Sequence, residues 1–384
     1  MIKAYNETGV ANLDKQSVLT EWRDNKMLTN EQLNEATKLF PVPFYQPNIF
    51  IKIGLFIFTI VVILAGFGFL SIFVFDNFIS DTKVYSYFCL GYGITLFFLA
   101  ELFIKKNKLY RSGTDNALLY ATFAFLLAFF LSITEFDWQA WTYCLVLSVA
   151  LLPVIARYGD PLLSIFAYVN FIVACFLLTT KTELGKAIVP FVIMAVSALV
   201  YYLANQWRNR KNTSYYTDCQ EVISTFALLT LYLGGNYAVV REGNAILYDL
   251  PESKQIDLAA LFYIFTALVP ALLIAYGIMK RERKAVIIGL VTTTISVITF
   301  LHYFSTWPGE FESTAIGAAT VITAVLIIRY LKTSRSGITS KPDNSQNPRN
   351  LEALLISQIV PENSGQADNI SGGDFGGGGA GSAY

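Results

Sequence analysis

The feature that most constrains this chain is a series of long apolar runs separated by short polar breaks. They fall at 49–75, 84–104, 116–133, 138–156, 161–179, 185–204, 222–237, 258–279, 285–303 and 314–331. A helix rising 1.5 Å per residue needs roughly 20 such residues to cross a hydrocarbon core of about 30 Å. Lipid offers no partner to a backbone amide, so an isolated run in a membrane must be helical. The expected fold is therefore all-α, a polytopic transmembrane helix bundle of about ten spans. Composition points the same way: 54% of the residues are hydrophobic and 15% charged, where a soluble domain carries about 25% charged.

The breaks are asymmetric in charge. With the N-terminus in the cytosol, cytosolic connections hold Lys105, Lys106, Lys108, Arg111 and Arg157, then Arg208, Arg210, Lys211, Lys280, Arg281, Arg283 and Lys284. The opposite connections are sparse in basic residues and carry Asp76, Asp81, Glu135, Asp137, Glu183, Glu310 and Glu312. The positive-inside rule then places both termini in the cytosol. A missed span would invert every later loop, so the pattern supports the span count too. Formal net charge is zero, which gives no electrostatic footprint for a nucleic-acid partner. The first 45 or so residues are polar and no cleavable signal peptide is expected.

Two appendages flank the membrane domain at 48–333. Residues 1–47 read as a cytosolic helical hairpin. Leu13, Val18, Leu19 and Trp22 share one helix face, and Leu33, Ala36, Leu39 and Phe40 recur at helical spacing on the next. Thr29-Asn30-Glu31-Gln32 fits a capping box between the helices. Pro41, Pro43 and Pro47 end the hairpin. At the other end, 334–384 reads as a disordered linker followed by a glycine-rich cytosolic tail, because glycine this dense cannot hold a helix or pack a core.

Chemistry-bearing residues are few. Cys89, Cys144, Cys175 and Cys219 show no metal-ligand spacing, and His302 is the one histidine. No catalytic residue, metal site or cofactor is expected. Polar groups inside the spans are the remaining candidates. Glu101 sits one turn before Lys105, an i,i+4 pair. Asn170, mid-span, needs a partner for its amide; a bond to another helix is the ordinary solution, with contact to a ligand as the alternative. Thr292, Ser296, Thr299 and Tyr303 lie on one face of the ninth span, beside Gly289 and Thr293. That small-residue row predicts close packing of the ninth span on the tenth, with a water-lined path as the alternative. Pro153, Pro190, Pro270 and the Gly234-Gly235-Asn236 interruption mark kinks or broken helices, which in carriers expose carbonyls to a substrate.

Leu19-Thr20-Glu21-Trp22 followed by Met27-Leu28-Thr29-Asn30-Glu31-Gln32 resembles the start of an uncharacterised family of predicted bacterial polytopic membrane proteins. Their cytosolic helical hairpin precedes a long run of helices. The ending from Phe375 to Tyr384 is similar to glycine-rich tails of other bacterial membrane and envelope proteins. The resemblance implies a multi-pass protein of the bacterial cytoplasmic (inner) membrane and carries no activity or site residues with it. The functional expectation is a non-enzymatic membrane protein, a scaffold or assembly factor. It would be embedded in the lipid bilayer and recruit a protein partner through the hairpin or the tail. The alternative is a secondary transporter of a small molecule or ion built from two five-helix halves.

Overall fold

The computed structural model describes residues 3–24, 27–45, 47–75, 82–208, 214–280 and 282–304, with isolated helical positions between 314 and 329. The expected tail at 334–384 lies outside the described residues, as does most of the expected tenth span. Among the described residues the named elements are all helical. They are α1 (Glu7–Asp24), α2 (Asn30–Leu39), α3 (Ile49–Phe75), α4 (Thr82–Asn107), α5 (Thr114–Ile133) and α6 (Ala140–Tyr158). Then come α7 (Pro161–Thr179), α8 (Glu183–Arg208), a 3-10 turn (Ser214–Tyr216), α9 (Thr217–Gly235), α10 (Tyr237–Leu247), α11 (Ala259–Lys280) and α12 (Arg283–Phe304).

Eight of these helices are long and apolar enough to cross a membrane: α3 to α8, α11 and α12. The protein is a multi-pass membrane protein on this evidence. Large apolar side chains cover its outside, with Phe50 82% and Phe58 67% exposed on α3 alone. A surface of that kind is stable in lipid and not in water. The expected seventh span is instead a bent pair. Helix α9 stops at Gly235, and α10 sets off at 69° to it.

The chain forms two compact units. In the smaller, Asn12–Pro41 closes a hairpin over Val18, Leu19, Trp22, Leu28, Leu33 and Ala36, with Phe40 against them. The Thr29 hydroxyl accepts from Gln32 N at 3.2 Å, and the Gln32 side chain accepts from Thr29 N at 2.9 Å. Together they satisfy two N–H groups that the first turn of α2 would leave open. Leu39, expected on the buried face, is exposed. Leu28 fills the interior from the connection instead.

The larger unit takes in the residues up to Ala11 as well as the described residues that follow Pro41. The first residues of α1 therefore belong with the membrane helices, not with the hairpin. Helices α4 and α5, α6 and α7, α8 and α9, and α11 and α12 pack as consecutive pairs. The α6–α7 turn shows how locally this is written. Gly159 takes the left-handed conformation (φ 59°) that ends α6, Asp160 caps α7 by accepting from Leu163 N at 2.9 Å, and Pro161 opens α7. Gly, Asp and Pro are the residue types that these three positions favour. In α12, Gly289 lets α11 approach: a Cβ there would lie 2.6 Å from Ile274 Cγ1. Gly289 thus packs on α11; the expected packing on the tenth span lies outside the described residues.

Candidate functional site

One end of the large unit is a web of hydrogen bonds. Glu101, from the last turns of α4, binds the Arg157 guanidinium of α6 through two contacts of 2.8 and 2.7 Å. The Tyr158 hydroxyl donates to the same carboxylate at 2.5 Å. Lys105, the partner expected from sequence, stands farther off at 3.5 Å and is exposed. In the sequence Arg157 stands out only as a loop charge. A bidentate Arg–carboxylate pair is geometrically specific and much stronger than an exposed lysine contact.

The chain's own beginning closes over this pair. Ala4 N donates to Arg157 O at 2.9 Å, and the Tyr215 and Tyr216 hydroxyls donate to Arg157 O and Ala156 O at 2.5 and 2.6 Å. These carbonyls belong to the last turn of α6, which has no donors of its own. The buried Tyr5 hydroxyl donates to Asp115 Oδ2 at 3.1 Å. Asp115 also accepts from the backbone N–H groups of Arg111 and Ser112 at 2.7 and 2.8 Å. Burial, with the Asp115 charge beside it, pushes the Tyr5 phenol well above its usual range, so it stays a donor. Arg111 pairs with Asp218 of α9, and Asp160 accepts from Asn116 and Tyr120 at 3.3 and 2.9 Å. Gln220 is the exception: it is buried, and its amide has no hydrogen-bond partner among the described residues.

The opposite end is built differently. A cavity of about 690 Å³ lies among α7, α8, the α9–α10 break and the start of α11. Clefts of roughly 300–1,000 Å³ are the usual size for small-molecule sites. Two backbone features shape it. Pro190 within α8 has no N–H, which leaves the Lys186 carbonyl without its helical donor. Gly234 and Gly235 let α9 press on α8, since a Cβ on Gly234 would lie 3.1 Å from Met194 Cγ and 3.3 Å from the Pro190 carbonyl. At the break, Asn236 leaves the helix in an extended conformation and caps α10 by accepting from Val239 N at 3.2 Å.

The expected polar face of α12 supports this break. Asn236 Nδ2 donates to the Tyr232 hydroxyl at 2.8 Å and to Thr299 Oγ1 at 3.1 Å, and Ser296 hydrogen-bonds the same tyrosine. Tyr303 donates to Glu242 of α10. Thr292 instead turns its hydroxyl back to Gly289 O at 3.0 Å. The face is thus a brace for the bend and does not itself line the cavity. Asn170 departs from expectation: its amide donates to Phe166 O of its own helix at 2.8 Å, it makes no interhelical bond among the described residues, and it stands outside the cavity lining.

The polar groups beneath the cavity are others. Tyr168 of α7, Ser197 of α8 and Thr230 of α9 bring three hydroxyls together, with Ser197 to Thr230 at 2.8 Å and Tyr168 to Ser197 at 3.4 Å. Tyr168 also bonds Thr230, which lines the cavity. Ser197 lies 11 residues along α8 from Lys186 at the mouth, or about 16 Å. Each hydroxyl looks like an isolated residue of an apolar helix, and their depth within three neighbouring spans was the available signal. Comparison with family models, with curated proteins and with solved structures gives no match for this chain.

Proposed function

We propose that the protein is a carrier that binds a small molecule in the cavity beside the α9–α10 break. The supporting observation is the coincidence of a ligand-sized cavity, a broken helix and a hydroxyl cluster about halfway through the spans. Carriers form their sites where discontinuous helices meet near the bilayer midplane. The web of bonds at the other end closes the path there, so the arrangement suits a state open on the cavity side only. We place about ten spans in a bacterial cytoplasmic membrane with both termini in the cytosol, following the charge asymmetry and the resemblance of the N-terminal segment. The cavity then faces outward. Single cysteines at the exposed positions Asn107 and Glu252, in a chain without native cysteines, test this. Only the one at 252 should react with an impermeant thiol reagent in intact cells.

The decisive experiment is thermal-shift screening of the purified protein against ions, metabolites and amphiphiles, repeated on Ile193→Trp. Ile193 lines the cavity, and an indole there narrows it from the α8 wall. A stabilising ligand whose effect disappears in the variant supports the carrier; ligands indifferent to the variant count against it. The scaffold reading keeps one supporting observation, the hairpin at Asn12–Pro41 with a core of its own. A protein partner lost on removal of that hairpin, with no cavity ligand, would favour the scaffold.

A further inference from the structure

The chemistry of the cavity differs between its mouth and its depth. The walls are apolar, made by residues such as Ile172, Phe176, Val189, Ile193 and Leu233. At the depth, Tyr168, Ser197 and Thr230 satisfy one another. An apolar group laid over Thr230 therefore leaves no buried donor stranded, which would otherwise be costly. The mouth is polar. Among the described residues its charged groups are one base, Lys186, and one acid, Asp257, and Gln255 and Asn244 line it too. Lys186 is anchored at 2.8 Å to Glu183, with its ammonium 5.0 Å from the centre of the Tyr248 ring.

From this we infer that the cavity takes a single-chain amphiphile with a zwitterionic head, of the lysophospholipid class. Its tail lies along the α7–α8–α9 wall and its head at the mouth, phosphate toward Lys186 and ammonium toward Asp257. Size limits the tails to one. At about 30 Å³ per methylene, near the share a water takes in the liquid, one sixteen-carbon chain occupies about 480 Å³ and two about 960 Å³. Only the single chain fits within the cavity of about 690 Å³. A purely anionic head would meet Asp257, and a purely cationic one would meet Lys186. A charge-balanced mouth discriminates by such repulsion.

This inference rests on the carrier's cavity, and the test separates the two. The full chain in maltoside micelles is titrated by native mass spectrometry with palmitoyl lysophosphatidylethanolamine, palmitate and hexadecyltrimethylammonium. The expected result is one lysolipid per chain, bound at least tenfold more tightly than either singly charged amphiphile. Lys186→Gln should cut the advantage over the cationic probe to less than threefold. Asp257→Asn should do the same for palmitate. Both substitutions sit at the mouth and leave the interior packing unchanged. No lysolipid binding, equal binding of all three probes, or charge variants without effect overturns the assignment of the head group. In that event, a hydrophilic solute whose binding is lost in Ile193→Trp leaves the cavity itself standing as a site. Lysolipid binding that survives Ile193→Trp overturns both.

Discussion

Where α6 turns into α7, backbone and side chains are fitted so closely that little can move without breaking a hydrogen bond. Glu101, Asp115 and Asp160 each hold several donors, among them groups from α5, from α6 and from the segment before α1. At the opposite end a helix is broken on purpose, a cavity is left, and the charged groups stand at its edge. The same helices, α7, α8 and α9, run between the two. A bundle that is tied at one end and open at the other can admit a ligand without losing its fold, because the interactions that hold it are remote from the site.

The largest expected effect is at Gly113. Its φ of 101° suits glycine, and a Cβ there would fall 2.2 Å from the Lys52 carbonyl oxygen. Gly113→Ala should destabilise by about 3–5 kcal/mol, combining backbone strain with a forced shift of α3. Denaturation of the purified protein measures it, and a near-neutral result would show the tied end to be loose. Next comes Glu101→Leu, which leaves Arg157 without its carboxylate. The loss should be about 3 kcal/mol, the lower end for a buried pair because Arg157 keeps some solvent exposure. Glu101→Leu with Arg157→Leu should recover more than half. Additive losses in that cycle would mean that the pair does not act as one.

These expectations show what the sequence made visible and what it hid. The apolar runs locate α3 to α8, α11 and α12, and 161–179 coincides with α7 to the residue. The capping box at Thr29 and the Gly234-Gly235-Asn236 break are local chemistry and equally legible. The pairing of Glu101 was not. Lys105 is four residues away in sequence, whereas Arg157 arrives from another helix. The same applies to Tyr168, Ser197 and Thr230, whose meeting is a property of three-helix packing and leaves no pattern in any one helix. Asn170 failed for the opposite reason: its own backbone satisfies it, a solution that needs no neighbour.

Two smaller effects complete the contrast. Tyr5→Phe removes one donor from Asp115, which keeps three others. The expected loss is about 1.5 kcal/mol, typical of a bond to a charged group. Faster proteolysis before Val10, with the helices still protected, would confirm that the segment is held chiefly there. At the open end the sign reverses. Gly243 lies in α10 with open space around its Cβ position. Gly243→Ala should stabilise by about 0.5–1 kcal/mol through helix propensity. A loss there would mean that α10 needs glycine for movement or for close approach of a ligand.

The tie between Ala4 and Arg157, under Tyr215, also sets an order of events during synthesis. Helix α3 is the most apolar and the least buried of the candidate spans, so it can enter lipid before any partner exists. The residues just ahead of it cannot dock so early. Their acceptor on α6 and their covering tyrosine emerge later, Tyr215 about 210 residues after Ala4, a delay of roughly 10–40 s at ordinary elongation rates of ~5–20 residues per second. Through that interval the leading segment waits in the aqueous phase, open to proteases and chaperones. Its final capture reports that α4, α5, α6 and the 3-10 turn have all reached their places, and so serves as a built-in mark of completed assembly.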